Sequence, residues 1–168
     1  MSVAGKKFAV IGAGIVGSAL SLWLSGQGGK VSLYERRSAQ AFLKRPTIQK
    51  RNINLALSHR GLKSLGLLGL KDQIIPMCCP MYGRRIYRSV GEAPFFQPYG
   101  LSHQAIYSIS RFDLNQMLHS ALDKANSVEI HYDTSLNAED NHLLEKLEVD
   151  FDGIFWCDGI HSSGRTLL

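Results

Sequence analysis

Residues 6–35 read KKFAVIGAGIVGSALSLWLSGQGGKVSLYE. Lys6 to Ile11 is an apolar run with a β-branched end, which predicts a short, buried parallel strand. Glycines 12, 14 and 17 follow, and then an apolar helix from about Ile15 to Ser25. Gly26, Gly28 and Gly29 end that helix. Val31 to Tyr34 predicts a second strand, closing on Glu35. The stretch is a βαβ unit of about 30 residues.

The turn itself, Gly12-Ala13-Gly14-Ile15-Val16-Gly17, matches G-x-G-x-x-G. Gly12 allows the tight turn, Gly14 lets backbone approach a pyrophosphate, and Gly17 lets helix and strand pack closely. The phosphates of a dinucleotide then meet a helix N-terminus, where N–H groups and the dipole favour negative charge. Three glycines alone could be a structural turn; here a strand precedes them, a helix follows, and Glu35 lies 18 residues past Gly17. A carboxylate at that place can accept both ribose hydroxyls. It disfavours a 2′-phosphate and leaves FAD or NAD, although Arg36 and Arg37 beside it could tolerate a phosphate. The turn does not separate the dinucleotides. The glycines also argue against reading residues 8–24 as a signal peptide or membrane span, for which 17 residues are in any case few.

Further along, residues 36–57 read as a long irregular basic loop. Ser58 is placed to cap a helix running to about Leu68. Arg84 to Ser89 and Ala105 to Ile109 predict strands, with Pro94 and Pro98 confining what lies between to an edge or a loop. Ser110-x-x-Asp113 resembles a capping box. The helix behind it carries Leu114, Met117, Leu118, Ala121 and Leu122 at helical spacing. Val128 to Tyr132, Leu143 to Val149 and Phe151 to Cys157 predict further strands, ending at Asp158-Gly159. The fold class is α/β with a Rossmann-like core, and residues 80–110 suggest part of a second sheet. No linker marks a boundary, so residues 1–168 are read as one dinucleotide-binding domain.

The composition is ordinary for a globular chain: 168 residues, 45% hydrophobic and 20% charged. The formal net charge of +5 is concentrated. Between Arg36 and Lys71 there is no acidic residue, while Arg36, Arg37, Lys44, Arg45, Lys50, Arg51, Arg60, Lys63 and Lys71 are basic. That field favours an anionic partner. Nucleic acid is the weakest candidate, since Phe42 is the only aromatic residue interleaved in the stretch. Cys78, Cys79 and Cys157 lack metal-ligand spacing and read as reduced thiols of an intracellular protein. No residues form a nucleophile triad, and Ser58-His59 is not in a G-x-S-x-G context.

Asp158-Gly159, after an apolar strand and followed by Ser162 and Arg165, resembles the D-G motif of flavin-dependent aromatic hydroxylases. Asn52 to Gly61 (NINLALSHRG) is similar to a stretch of the kynurenine 3-monooxygenase family. Pro80-Met81, Pro98-Tyr99-Gly100, Ser110-Arg111 with Leu114-Asn115, and Cys157-Asp158-Gly159 follow in that family's order. The resemblance covers residues 7–165. It implies FAD as the cofactor, held at Gly12, Gly14, Ile15, Val16, Gly17, Glu35, Arg36, Arg37, Ala56, Arg111, Leu136 and Asp158. It implies a substrate-carboxylate clamp at Arg84 and Tyr99. Arg85 competes for that role, and strand alternation lets only one of the two arginines face the site. The implied reaction is hydroxylation of the ring of L-kynurenine with NADPH and dioxygen, in which the cofactor carries the hard chemistry. No catalytic side chain and no metal is implied.

The chain also departs from that family. A second flavin-contacting G-D motif, later strands of the substrate sheet and C-terminal helices are not found in it, and residues 133–150 look shortened. The C-terminal segment that associates eukaryotic members with the mitochondrial outer membrane is likewise not found. The expectation is a family member whose 168 residues do not turn over alone. Rival readings are a non-catalytic dinucleotide-binding module or truncated pseudoenzyme, and an NAD-dependent reductase.

Overall fold

The computed structural model describes residues 2–44, 53–136 and 141–167. Arg45, Lys50 and Arg51 of the basic stretch, and Asn52 at the head of NINLALSHRG, lie outside them. The elements in chain order are β1 (Lys7–Ile11), α1 (Ile15–Gly26), β2 (Lys30–Tyr34), α2 (Ala39–Leu43), β3 (Asn54–Leu57) and α3 (His59–Leu67). Next come α4 (Lys71–Ile74), β4 (Cys79–Met81), β5 (Gly83–Ile86), β6 (Phe95–Pro98), β7 (Ile106–Ser110) and α5 (Arg111–Leu122). β8 (Val128–His131), α6 (Asn141–Asp150) and β9 (Gly153–Trp156) complete the series. The chain divides into two compact units, residues 1–47 with 114–168 and residues 48–113.

The first unit holds a parallel sheet in the order β8-β2-β1-β9. β1 sits in the middle, with Phe8 opposite Val31 on one side and Gly153 on the other. A parallel strand in that position must be apolar on both faces, because helices cover both. Phe8 and Val10 point into one core with Leu24 of α1, Phe42 and Leu122 of α5. Ala9 and Ile11 point the other way, against Leu147 of α6 and the partly buried Ile154 and Trp156. Strand alternation thus turns one run, FAVI, into the centre of two cores.

α6 corrects the strand expected at Leu143 to Val149. Leu143, Leu144 and Leu147 are spaced i, i+1, i+4, which is a helical stripe, and Val149 is the only β-branched residue in the run. Leu147 of this helix is buried against the sheet. The loop expected over residues 36–57 is also corrected at both ends. α2 forms there because the Ser38 hydroxyl accepts the Ala41 N–H at 3.2 Å, and it delivers Phe42 to the core.

The second unit contains an antiparallel sheet β3-β7-β4 and a separate β5-β6 hairpin. β6 pairs only with β5, the edge position that Pro94 and Pro98 require. Ser58 occupies the N-cap of α3, but its hydroxyl makes no capping bond; its carbonyl accepts the Leu62 N–H at 3.0 Å instead. At α5 the cap is made as expected, with the Ser110 hydroxyl 3.4 Å from the Asp113 N–H. Leu114, Leu118 and Leu122 are the buried leucines of that helix.

Candidate functional site

The carboxyl ends of β1, β2 and β9 bring the sequence-predicted residues of the first unit together. Gly12 turns the chain at φ +99°, and its N–H donates to the Tyr34 carbonyl at 2.7 Å. A Cβ at Gly12 would lie 2.7 Å from the Cys157 carbonyl oxygen and 2.9 Å from the Asp158 backbone. At Gly17 a Cβ would run into the Gly12 carbonyl. These two glycines are demanded by the fold itself. Gly14 is different: its φ is −69°, open to any residue, and a Cβ there would meet nothing within 4 Å. The protein leaves the space over Gly14 empty, at the N-cap of a 12-residue helix. The Ser18 N–H donates to the Gly14 carbonyl at 2.9 Å, which leaves the preceding N–H groups of the first turn outside the helical ladder. Val16 stands two-thirds exposed beside them, 67%. A phosphate-bearing group fits this cradle.

Glu35 is buried, at 4% exposure. One carboxylate oxygen accepts the Ala13 N–H at 3.1 Å and Arg37 Nη2 at 3.1 Å. The other accepts the Arg37 N–H at 3.0 Å and Arg37 Nε at 2.7 Å. Burial alone would raise its pKa; the hydrogen bonds and charge of Arg37, helped by Ala13, outweigh that and hold it below the ordinary carboxylate value. All four lone-pair positions of the carboxylate are taken. The Arg37 guanidinium also rests on the Phe42 ring at 4.4 Å, which helps to hold it against the carboxylate.

Beneath Phe42 lies His119, 1% exposed, with ring centres 4.4 Å apart. The Tyr132 hydroxyl is 3.3 Å from the nearer His119 nitrogen. Burial pushes the His119 pKa down; Asp123 and Glu35 oppose that and Arg37 adds to it, with the net shift downward. This packed stack under Arg37 escapes sequence reading, because Phe42, His119 and Tyr132 are scattered and belong to no short motif.

The other predicted residues of this unit sit around the same turn. Arg36 is exposed beside Glu35. The segment leading to Leu136 is fastened to β2's end, with the Thr134 N–H on the Glu35 carbonyl at 3.0 Å and the Asp133 N–H on the Arg37 carbonyl at 3.2 Å. Leu136 is partly buried and packs against the cluster of Ala9, Ile11 and Leu147. Asp158, exposed, accepts the Ser163 N–H at 3.2 Å, and Gly159 behind it has φ +94°. Ala56, Arg111, Arg84 and Tyr99 belong to the second unit. There the Arg111 N–H donates to the Ile53 carbonyl at 3.0 Å, at the end of the β3–β7 ladder that carries Ala56.

A cavity of about 530 Å³ is lined by Lys7, Lys30, Ser32, Asn126, Glu129 and Asp150. It lies at the amino ends of β1, β2 and β8, away from the glycine turn. Open parallel sheets bind ligands at the carboxyl ends, which makes the turn, and not this cavity, the candidate site. No helix among the described residues is long and apolar enough to cross a membrane.

No protein-family model matches the chain. Comparison with curated proteins finds kynurenine 3-monooxygenases: that of Drosophila willistoni is 35% identical over 97% of the chain and 38% of its own length. The Sus scrofa enzyme is 36% identical over 95% of the chain and 35% of its own length, and that of Christiangramia forsetii 34% over 95% and 37%. The chain thus spans somewhat more than a third of the relatives it matches. Among solved structures it is similar to PqsL, a probable FAD-dependent monooxygenase from Pseudomonas aeruginosa. That match has a TM-score of 0.63 at 18% identity, covering 79% of this chain and 34% of the other. A p-nitrophenol 4-monooxygenase from Pseudomonas putida superposes with a TM-score of 0.61 at 18% identity, over 76% and 32%. The chain has the α/β fold of these monooxygenases over part of their length, and it resembles the kynurenine 3-monooxygenases in sequence.

Proposed function

We infer that this chain, akin to the kynurenine 3-monooxygenases over nearly all of its own length, is the FAD-holding part of a flavin-dependent monooxygenase. The observation that carries the reading is the open space over Gly14 at the N-cap of α1, in the turn whose other two glycines the fold requires and whose Ala13 N–H is bound by the buried Glu35. The N-terminus of α1 receives the pyrophosphate, Glu35 takes the ribose as Arg37 swings aside, and Arg36, Arg37 and Leu136 flank the adenosine. Asp158 stands beside Gly12 within reach of the same group. Ala56 and Arg111, in the second unit, are proposed as further cofactor residues on sequence resemblance alone. FAD, when bound, supplies the redox chemistry, with NADPH as reductant and dioxygen as oxidant.

Arg84 and Tyr99 are proposed to hold the carboxylate of an aromatic amino acid resembling L-kynurenine. Their placement supports that choice. In the hairpin Arg84 pairs with Gln97 and Arg85 with Phe96, so the two arginines face opposite ways. Tyr99, two residues past Gln97 and bonded through its N–H to the Tyr82 carbonyl at 2.9 Å, continues the face of Arg84. Arg offers a planar fork and Tyr one further donor.

The test is to purify the chain after expression in FAD-replete cells and release any chromophore with acid. The reading expects FAD at up to one equivalent. A colourless protein that takes up no added FAD would contradict it.

A further inference from the structure

The carboxylate clamp has a third member. The geometry points to Gln97 as a positioning residue that fixes which edge of Arg84 meets the substrate, an inference that rests on the Arg84–Tyr99 reading above. Arg84 Nε donates to Gln97 Oε1 at 2.8 Å across the hairpin, from directly paired positions. A guanidinium can grip a carboxylate through its Nε/Nη2 side or through its Nη1/Nη2 end. With Nε held by Gln97, the end remains as the two-pronged donor. Gln97 is neutral, so it orients Arg84 without cancelling its charge, which a Glu in its place would do.

The rest of the hairpin holds this arrangement still. On the opposite face the Phe96 ring lies over Gly83, where no Cβ would fit. That close cover pins the register that sets Arg84 against Gln97. On the same face as Arg84, Ile86 pairs with Phe95, and the Arg88 guanidinium stacks on the Phe95 ring at 5.0 Å. Arg84 is exposed, so the free side chain has its full rotamer freedom to lose on binding. The bond to Gln97 removes part of that loss in advance.

The experiment uses the 168-residue chain and two readouts. The first is solvent exchange of the Arg84 Nε–H, followed by nitrogen-15 NMR in the wild type, Gln97→Leu and Gln97→Glu. The second is titration with L-kynurenine and with its carboxamide, in those proteins and in Arg84→Ala. The inference expects slow Nε–H exchange in the wild type and Gln97→Glu and fast exchange in Gln97→Leu. It expects the preference for carboxylate over carboxamide to fall about two- to fivefold in Gln97→Leu, within the range of an exposed ion pair. In Gln97→Glu the preference should vanish although exchange stays slow. Equal exchange in wild type and Gln97→Leu overturns the inference. So does an unchanged preference in Gln97→Leu beside a collapsed one in Arg84→Ala, a result that leaves the clamp reading standing. A preference indifferent to Arg84→Ala, or absent from the wild type, removes the clamp and the inference with it.

Discussion

Both carboxylate oxygens of Glu35 are already engaged, by Arg37 and by the Ala13 N–H. Replacing Glu35 by Ala therefore does two things. It removes a charged acceptor worth about 1.5–3 kcal/mol per bond to FAD. It also strands the Ala13 N–H and the Arg37 guanidinium, so the protein loses stability as well. A flavin titration and a thermal melt on the same variant check both, and unchanged FAD affinity would contradict the assignment. His119 gives a second residue-scale prediction. Its folded pKa is depressed, so the unfolded chain binds its proton first as pH falls. The stability it contributes is present above its ordinary value of 6.5 and is lost progressively as pH drops below that. Glu35, also depressed, adds its own loss below its ordinary value of 4.5. Melting midpoints should fall as pH moves from 7 towards 5. In His119→Phe that slope should flatten, from a lower starting point, because the Tyr132 hydroxyl loses its partner. A slope identical to wild type would contradict the role given to His119.

At the scale of elements, the glycine turn separates what the fold needs from what the ligand needs. Gly12→Ala forces a side chain into positive φ against the Asp158 backbone and should cost about 1–3 kcal/mol of stability. Gly14→Ala meets no protein atom and should melt like wild type, yet weaken FAD binding by roughly 1–3 kcal/mol through overpacking. Equal melting of all three proteins, or an FAD affinity untouched by Gly14→Ala, would contradict this division. The βαβ unit was legible in the sequence because continuous apolar strands and spaced glycines carry their own signal. α6 was misread: its leucines at i, i+1 and i+4 carry the helical period, but over little more than one turn, too short a run to outweigh a strand reading. β3 and β4 are four and three residues long and are held by pairing with β7, a tertiary cause no local pattern reports. Alternation in the sequence separates Arg84 from Arg85, and the hairpin register agrees; Gln97 was not legible, because its part depends on which residue lies across the hairpin.

At the scale of the molecule, the chain covers somewhat more than a third of the length of the enzymes it resembles. The reaction needs a flavin ring shielded from water, and a holder of the dinucleotide's phosphate half does not by itself supply that shield. The 168-residue chain is therefore predicted to bind FAD and to form no hydroxylated kynurenine when given NADPH and air; chromatographic detection of that product would contradict the prediction. Titration of the purified chain with FAD, followed by flavin fluorescence with NAD as competitor, distinguishes a flavin holder from a holder of another dinucleotide. Binding should saturate near one equivalent, and excess NAD should not reverse it. FAD that fails to bind, or that NAD displaces at comparable concentration, would contradict the flavin reading and turn the glycine turn to another dinucleotide.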